Sequence, residues 1–406
     1  MDLVRTIPIS LFYAGRFDGK RKDVPMSQEK VSSPVMDRDH SGPRQFPCGQ
    51  CGASLHFLPG ATSLICGHCG HTQEIAVNQG GIEELDFDAW MDKAQTDGHM
   101  QDCVVTQCTA CGAKVEPERE TVAFMCPFCG TAMDLQKISQ RQIKPTSLLP
   151  FNVAKKQAQD HFRKWVTSRW FAPSQLKKAA RHETPLNGLY IPYWTFDAQT
   201  HSDYNGQRGI HYHVQENYMA TEGGKSVQKT RTVTHTRWST TSGHVAHWFN
   251  DVLVIASHLL QKEMADKLEP WDLENLVAYD PDYVSGFRVQ SYQLGLTQGF
   301  EGAKERMAGT ITRLVREDIG GDEQRIDHLS THYSAITFKH ILLPIWLSTY
   351  RFGDKRYQFL INGRTGEVQG ERPYSWVKIT LTAFTAIAVL GGLWWFLGEQ
   401  NPSVVQ

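Results

Sequence analysis

Residues 48–70 read CGQCGASLHFLPGATSLICGHCG, and residues 108–130 read CTACGAKVEPERETVAFMCPFCG. Each stretch is CxxC, fourteen residues, CxxC, and a shift of sixty positions lays Cys48, Cys51, Cys66 and Cys69 on Cys108, Cys111, Cys126 and Cys129 without a gap. One structural unit is therefore used twice. Four thiolates at this spacing suit a tetrahedral structural Zn2+, with two knuckles each supplying two sulfurs at about 2.3 Å. Glycine follows the second cysteine of every knuckle, as Gly52, Gly70, Gly112 and Gly130. A positive φ there lets backbone N–H groups turn toward the sulfurs. Disulfides are the competing reading of paired cysteines, but duplication, spacing and glycines all favour metal. A closed four-sulfur site leaves no position for water or substrate, so both ions are read as structural rather than catalytic. His68 and His71 are then surplus, and Cys103 is left over as a free thiol.

Short strands fit between the knuckles: Ser54 to Phe57 turning at Pro59-Gly60 into Ser63 to Ile65, and Lys114 to Val115 leading to Thr121 to Met125. Two zinc ribbons result, at 44–76 and 104–135, each too small to fold without its metal. Free thiolate ligands also imply a reducing compartment. The rest of the chain is of ordinary soluble composition. Of its 406 residues 40% are apolar and 21% charged, with a formal net charge of -1, which excludes a polytopic membrane protein and a disordered chain.

That neutrality hides strong local charge. Residues 74–102 hold eight carboxylates against Lys93 alone, net -7, so 77–103 reads as an acidic linker. Residues 136–182 hold eleven Lys or Arg against Asp160, net +10, within a basic helical segment 136–185. There Ala154, Ala158, Phe162, Trp165 and Val166 share one helical face, with Asn152 placed as N-cap. Such a helix lies on anionic lipid, on nucleic acid, or on the next domain.

From 379 to 397 runs ITLTAFTAIAVLGGLWWFL, nineteen residues without a charge. At 1.5 Å per residue this is about 28 Å, the thickness of a bilayer core. Tyr374 and Trp376 before it and Trp394 and Trp395 at its end form aromatic belts. The expectation is a transmembrane helix at 376–398 with a tail at 399–406. Arg372 and Lys378 precede the span and nothing basic follows, so the N-terminal bulk faces the cytoplasm across the inner (cytoplasmic) membrane. Residues 1–43 read as a disordered leader, with Met26 and Met36 as alternative starts.

Residues 186–375 read as one α+β domain containing antiparallel sheet. Strands are expected at 188–196, 209–214, 229–238, 248–256, 337–352 and 356–369, and a helix over 300–315. Asn362-Gly363 signals a type I′ hairpin, while Pro192-x-Trp194 and Pro344-x-Trp346 hint at a second duplication. His211 and His213, His244 and His247, and His328 and His332 come in pairs, but none has a complete ligand or triad context. Gly223-Gly224-Lys225-Ser226 lacks the first glycine, the strand and the helix of a phosphate loop. No nucleotide-binding or catalytic motif is found.

The twin CxxCG ribbons, EELDFDAW at 83–90, GLYIPYWTFDA at 188–198 and FLINGRTGEVQGERPYSW at 359–376 resemble the bacterial membrane-anchored TFIIB-type zinc-ribbon proteins, over roughly residues 44–397. Some of these carry the label of primosomal protein N′, the replication factor Y helicase. This chain departs from a helicase, with no Walker A loop, no acidic box and no room for two motor domains. Other relatives act with membrane scaffolds of the SPFH type. The resemblance implies a multi-domain, non-enzymatic, membrane-anchored zinc-ribbon adaptor with two structural Zn2+ ions, recruiting a protein partner such as an SPFH-type scaffold. Anionic lipid would be met through 136–182. The alternative is a zinc-ribbon nucleic-acid-binding protein of replication or transcription. A third reading, an enzyme built on the histidine strands, would require a third metal lost on His211→Ala.

Overall fold

The computed structural model describes residues 46–76, 81–92, 97–117, 123–134, 137–174, 186–352, 355–371 and 374–400. The leader expected at 1–43, residues 401–406 of the tail, Arg372, and the basic Lys177, Lys178 and Arg181 lie outside them.

The first ribbon is a meander of β1 (Leu55–Phe57), β2 (Ser63–Cys66) and β3 (Thr72–Glu74). The segment read as an acidic linker then forms β4 (Leu85–Asp86) and α1 (Phe87–Asp92). Its alternation is the cause: the acids point outward while Leu85 and Phe87 point in, and the Phe87 ring meets Phe196, Phe300 and Phe338 at 4.9–6.4 Å. The second ribbon comprises β5 (Met100–Gln107), β6 (Lys114–Val115), β7 (Ala123–Met125), β8 (Ala132–Asp134) and β9 (Lys137–Ile143). β5 lies between β6 and β9, and β7 pairs with β8.

After β10 (Ser147–Leu148) comes α2 (Lys155–Ser168). Ala158, Phe162 and Val166 are buried as its spacing predicts, but the helix starts later than Asn152 implied. Ala154 is the N-cap, its N–H donating to Gln157 Oε1 at 2.8 Å. Asn152 instead donates Nδ2 to the Arg364 carbonyl at 3.3 Å. Phe162 stacks on Phe359 with ring centres 3.7 Å apart, so the apolar face is spent on the protein core. Lys155, Lys156, Arg163 and Lys164 stay exposed.

The main sheet is built on three very long strands: β11 (Asn187–Glu222), β12 (Lys225–Ile255) and, after α3 (Lys262–Asp266), β13 (Val277–Ala278), β14 (Arg288–Val289) and α4 (Leu296–Ile319), β15 (Glu323–Phe352). β11 is central, antiparallel to β12 on one side and β15 on the other. β10 joins β15 in parallel, and β4 adds to β15 at Thr337 and Phe338. β16 (Lys355–Asn362) and β17 (Val368–Gly370) continue the sheet from the end of β15, and α5 (Trp376–Gln400) follows. Asn362-Gly363 does not make the two-residue hairpin expected. The turn runs to Glu367, with the Asn362 carboxamide accepting from Arg364 N and Thr365 N, and Gly366 carrying the positive φ of 80°.

The weak second repeat has a structural basis. Ile191 sits opposite Leu343 in the antiparallel pair, and a local two-fold there relates Pro192 to Pro344 and Trp194 to Trp346. Both indoles are buried and satisfied alike, donating to the carbonyls of Leu294 (3.0 Å) and Val153 (2.9 Å).

Along β11 the even-numbered side chains Tyr190, Trp194, Phe196 and Tyr204 face the first ribbon, α2 and α4. The odd-numbered Leu189, Ile191 and Tyr193 face the second ribbon and residues 260–271. At Asp197 both neighbouring strands insert an extra residue, with Asp251 and Ala335 at φ of 51° and 48°. Such bulges bend and twist the ladder. Past the Gly209–Glu323 rung β15 is gone, and β11 and β12 continue alone. Their two-stranded arm is about 40 Å long and turns at Gly223 and Gly224, both at positive φ.

Candidate metal centres

Each knuckle closes in the same way. The N–H of the first cysteine reaches the carbonyl five residues on, as Cys48 to Ala53 (2.7 Å), Cys66 to His71 (2.8 Å), Cys108 to Ala113 (2.8 Å) and Cys126 to Thr131 (2.8 Å). The glycine N–H returns to the first cysteine's carbonyl at 2.8–3.0 Å. Gly52, Gly70, Gly112 and Gly130 have φ of 77°, 74°, 74° and 71°, and a Cβ at any of them would meet nothing within 4 Å. Backbone conformation, not space, therefore requires glycine there.

The knuckles bring the sulfurs together in fours. Cys48 and Cys69 are 3.6 Å apart and Cys51 and Cys66 3.5 Å; in the second ribbon Cys108–Cys129 and Cys111–Cys126 are both 3.6 Å. In each group the four sulfurs lie within 4.8 Å of one another. A disulfide would need about 2.05 Å, whereas the edge of a tetrahedron with metal–sulfur bonds of about 2.3 Å is about 3.8 Å. The spacing fits a metal ion and not a covalent bridge. A tetrahedral all-sulfur donor set suits Zn2+.

Protonation adds to this. The N–H groups of Cys69 and His68 draw the Cys66 thiol down to about 6, while Cys69 itself, although the His71 N–H favours its thiolate, is pushed up to about 12 by desolvation and the other sulfurs. In the second cluster burial drives Cys111 up to about 11 and raises Cys126 further. Cys129, against the effect of burial, is held at about 7 by Thr131. Each cluster thus holds one thiol drawn down, Cys66 or Cys129, beside two pushed up, Cys51 and Cys69 in the first and Cys111 and Cys126 in the second, since burial and neighbouring sulfurs both disfavour further thiolates. A divalent cation at the centre removes that penalty, since it binds all four ligands deprotonated.

The ribbons are embedded differently. In both, the first cysteine of each knuckle is buried; the second is exposed in the first ribbon (Cys51, Cys69) and half-buried in the second (Cys111, Cys129). The first ribbon docks through Phe57, whose N–H donates to the Ser285 carbonyl (3.0 Å) and whose ring meets Tyr283 at 5.5 Å. The Ser285 hydroxyl returns to the Leu55 carbonyl at 2.6 Å. The second ribbon docks through β6, with Glu116 N on the Val289 carbonyl and Ser291 N on the Lys114 carbonyl. The Phe128 carbonyl there accepts from Thr349 Oγ1 (3.0 Å) and Gln358 Nε2 (2.7 Å). One segment, residues 283–291, thus clasps both ribbons to the sheet.

The other sequence candidates fall elsewhere. His211 Nε2 pairs with Glu323 at 2.8 Å and His213 with Thr234 at 3.1 Å. His247 packs its ring on Phe249. Gly223 to Ser226 form the tip of the arm. The Cys103 thiol donates to the Gln140 carbonyl at 3.3 Å. Two buried polar centres escaped the sequence reading. His340, between Trp194 and Tyr292, has Nδ1 2.9 Å from the Ile143 carbonyl, and burial lowers its pKa to about 4. A histidine inside the apolar run 336–347 was the available signal. Lys339, almost fully buried, bridges Glu84 (2.8 Å) and Asp251 (2.7 Å) beside Asp197 and so locks β4 to the sheet.

Fold and site together define a chain with two four-cysteine metal centres clasped to a long antiparallel sheet, followed by one helix, Trp376–Trp395, long and apolar enough to cross a membrane and with none of it buried. Over 336 residues the chain is 26% identical to "Uncharacterized protein YdjG" of Bacillus subtilis (strain 168), a similarity covering 82% of this chain and 91% of that protein. No family model matches the chain, and no solved structure matches it.

Proposed function

We propose that the chain is a non-enzymatic, single-pass adaptor of the inner membrane that presents its cytoplasmic part to a protein partner. The observation that carries this reading is the arm. An isolated two-stranded ribbon is marginal in water, yet on one face this one holds Ile210, Tyr212, Val214, Tyr218 and Val227 exposed, with Met219 exposed on the other. Large apolar side chains gathered on one exposed face mark an interaction surface. The resemblance to membrane-anchored zinc-ribbon proteins suggests an SPFH-type scaffold as that partner. Closed four-sulfur centres suit a supporting role for the metals.

α5 supplies the anchor. Its start is held by Ser375 N on the Phe171 carbonyl (2.9 Å) and by Lys378 Nζ on the Ala172 carbonyl (2.8 Å). Trp170, Tyr374 and Trp376 are exposed around that junction, and the basic outer face of α2 precedes it in the chain, an arrangement that suits anionic headgroups at the cytoplasmic surface. The test is affinity purification from detergent-solubilised membranes with the intact chain and with one in which residues 211–236 are replaced by Asn-Gly. Loss of a specific co-purifying protein from the shortened chain is expected; an unchanged set of partners refutes the reading.

A second reading has its own observation. Arg231 lies over the Tyr218 ring at 5.7 Å and Arg237 over Tyr212 at 5.6 Å, and cationic aromatic platforms stack nucleic-acid bases. Binding of single-stranded nucleic acid that falls steeply with salt would establish it; no mobility shift at low salt removes it.

A further inference from the structure

The register of the long strands gathers four histidines around one carboxylate, far apart in sequence and remote from both ribbons. Asp203 on β11 stands opposite His244 on β12 and Ser330 on β15. One same-face rung toward the sheet base, His201 lies between Ala246 and His332; one toward the arm, Asn205 lies between Ser242 and His328. These nine residues form a three-by-three patch on one face. The opposite face is fixed by Ser202, bonded to Thr331 at 2.8 Å, and by Tyr204, which donates to Asp318 of α4 at 2.5 Å. All nine side chains of the patch are exposed.

Asp203 therefore has His244 directly across, His201 two residues away on its own strand, and His328 and His332 on the two diagonals. Directly opposed Cβ atoms in an antiparallel pair are about 4.5–5.5 Å apart and diagonal neighbours about 7–8 Å. Imidazole and carboxylate side chains bridge both spans to a shared ion. The remaining members, Ala246, Ser242, Ser330 and Asn205, are short and leave the floor of the patch open. The other histidines of the long strands are engaged: His211 by Glu323, His213 by Thr234, His235 by Glu216 at 3.6 Å, His247 by the Phe249 ring and the buried His340 by the Ile143 carbonyl. Among the described residues no side-chain hydrogen bond or ion pair engages His201, His244, His328, His332 or Asp203.

We propose that this face binds a divalent transition-metal ion, held by Asp203 and imidazoles from among His201, His244, His328 and His332. Imidazole with one carboxylate is the donor set of Zn2+, Co2+, Ni2+ and Cu2+, not of Ca2+ or Mg2+, which take oxygen ligands. The side chains fan over the face and do not converge as the eight sulfurs do, so the ion assembles its site. Ordering several exposed side chains costs conformational entropy, and binding is accordingly weaker than at the ribbons. This centre differs from them in being open, since a flat exposed patch leaves coordination positions for an outside ligand.

The full chain, purified in detergent without a polyhistidine tag and with both ribbons zinc-loaded, is titrated with Co2+. The expected result is one further saturable ion per chain, lacking the sulfur-to-cobalt charge-transfer absorption that an all-thiolate centre produces. Asp203→Asn and the double variant His201→Ala/His244→Ala weaken it by about 10-fold or more, the scale on which even an outer partner of a metal ligand counts. His211→Ala and His213→Ala, which change the same face outside the patch, leave it intact. Retention of two zinc ions and an unchanged circular dichroism spectrum establish that each variant folds. Absence of a saturable third ion, or a third ion bound equally well by the double variant, overturns the proposal.

Discussion

Replacing Asp197 by asparagine should stabilise the chain above neutral pH and leave it unchanged in acid. Asp197 is 3% exposed and shares one cation, Lys339, with Glu84 and Asp251, so three carboxylates face a single ammonium. Burial lifts its pKa from the ordinary 3.8 to about 6, against the Asp251 N–H at 2.6 Å and Lys339, which favour the charged form. The folded pKa lies above the unfolded one. The associated stability is complete below pH 3.8 and is lost as pH rises through about 6, so at pH 8 the folded state carries the whole penalty. That displacement is worth about 3 kcal/mol, a sizeable part of the roughly 5–15 kcal/mol that holds a domain folded. Asparagine keeps the acceptor for Asp251 N, and its amide can donate to Glu84. Thermal unfolding of both chains across pH 4–8 measures the difference. The midpoints should coincide near pH 4, and the variant should unfold several degrees higher at pH 8. A variant less stable than the parent at pH 8, or a constant offset at every pH, would refute the reasoning.

Other outcomes follow from the same geometry. Chelation should release zinc in two phases, with Cys51 and Cys69 becoming alkylated before Cys111 and Cys129, because only the first ribbon exposes its outer sulfurs; a chromogenic chelator combined with mass mapping reads this directly. Cys126→Ser should give a chain that fails to fold, since the ribbon it closes buries Val115, Phe124, Phe128 and Met133, worth about 1.5–3 kcal/mol apiece as an upper bound; recovery of soluble, protease-resistant protein would contradict this. Phe162→Ala removes the ring stacked on Phe359 and should cost about 3–5 kcal/mol, seen as a lowered unfolding midpoint. His340 is neutral when folded and has its pKa lowered from 6.5 to about 4; stability from this group is present above about pH 6.5 and lost as pH falls toward 4, so His340→Gln should flatten the acid limb of the unfolding curve.

How much of this the sequence disclosed depended on range. The four-cysteine groups and the apolar helix were legible because their chemistry is local: a knuckle closes within six residues, and a span is one unbroken run. The long strands were not. Expected strands stopped at 196 and resumed at 209, leaving out a polar stretch that carries Asn205-Gly206. In the structure Gly206 is a point of close approach, where a Cβ would run into the Arg325 carbonyl, and at Gly209 it would come within 2.8 Å of Thr236. Both glycines let neighbouring groups crowd a continuous ladder. The acidic stretch 77–103 misled through its charge, which masked the alternation that buries Leu85 and Phe87. The patch around Asp203 was beyond reach, since its members come from three strands and meet only through register.

The docking of the second ribbon carries a consequence for the order in which the chain is made. The Phe128 carbonyl waits for Thr349 and Gln358, which lie 221 and 230 residues downstream. At about 5–20 residues per second the ribbon leaves the ribosome roughly 10–45 s before those partners exist. During that interval its thiols have no protein surface to shelter them, and Zn2+ is what can hold the fold. Metal supply at the moment of synthesis, rather than in the finished protein, then decides whether β15 and β16 arrive to find a surface on which to pack.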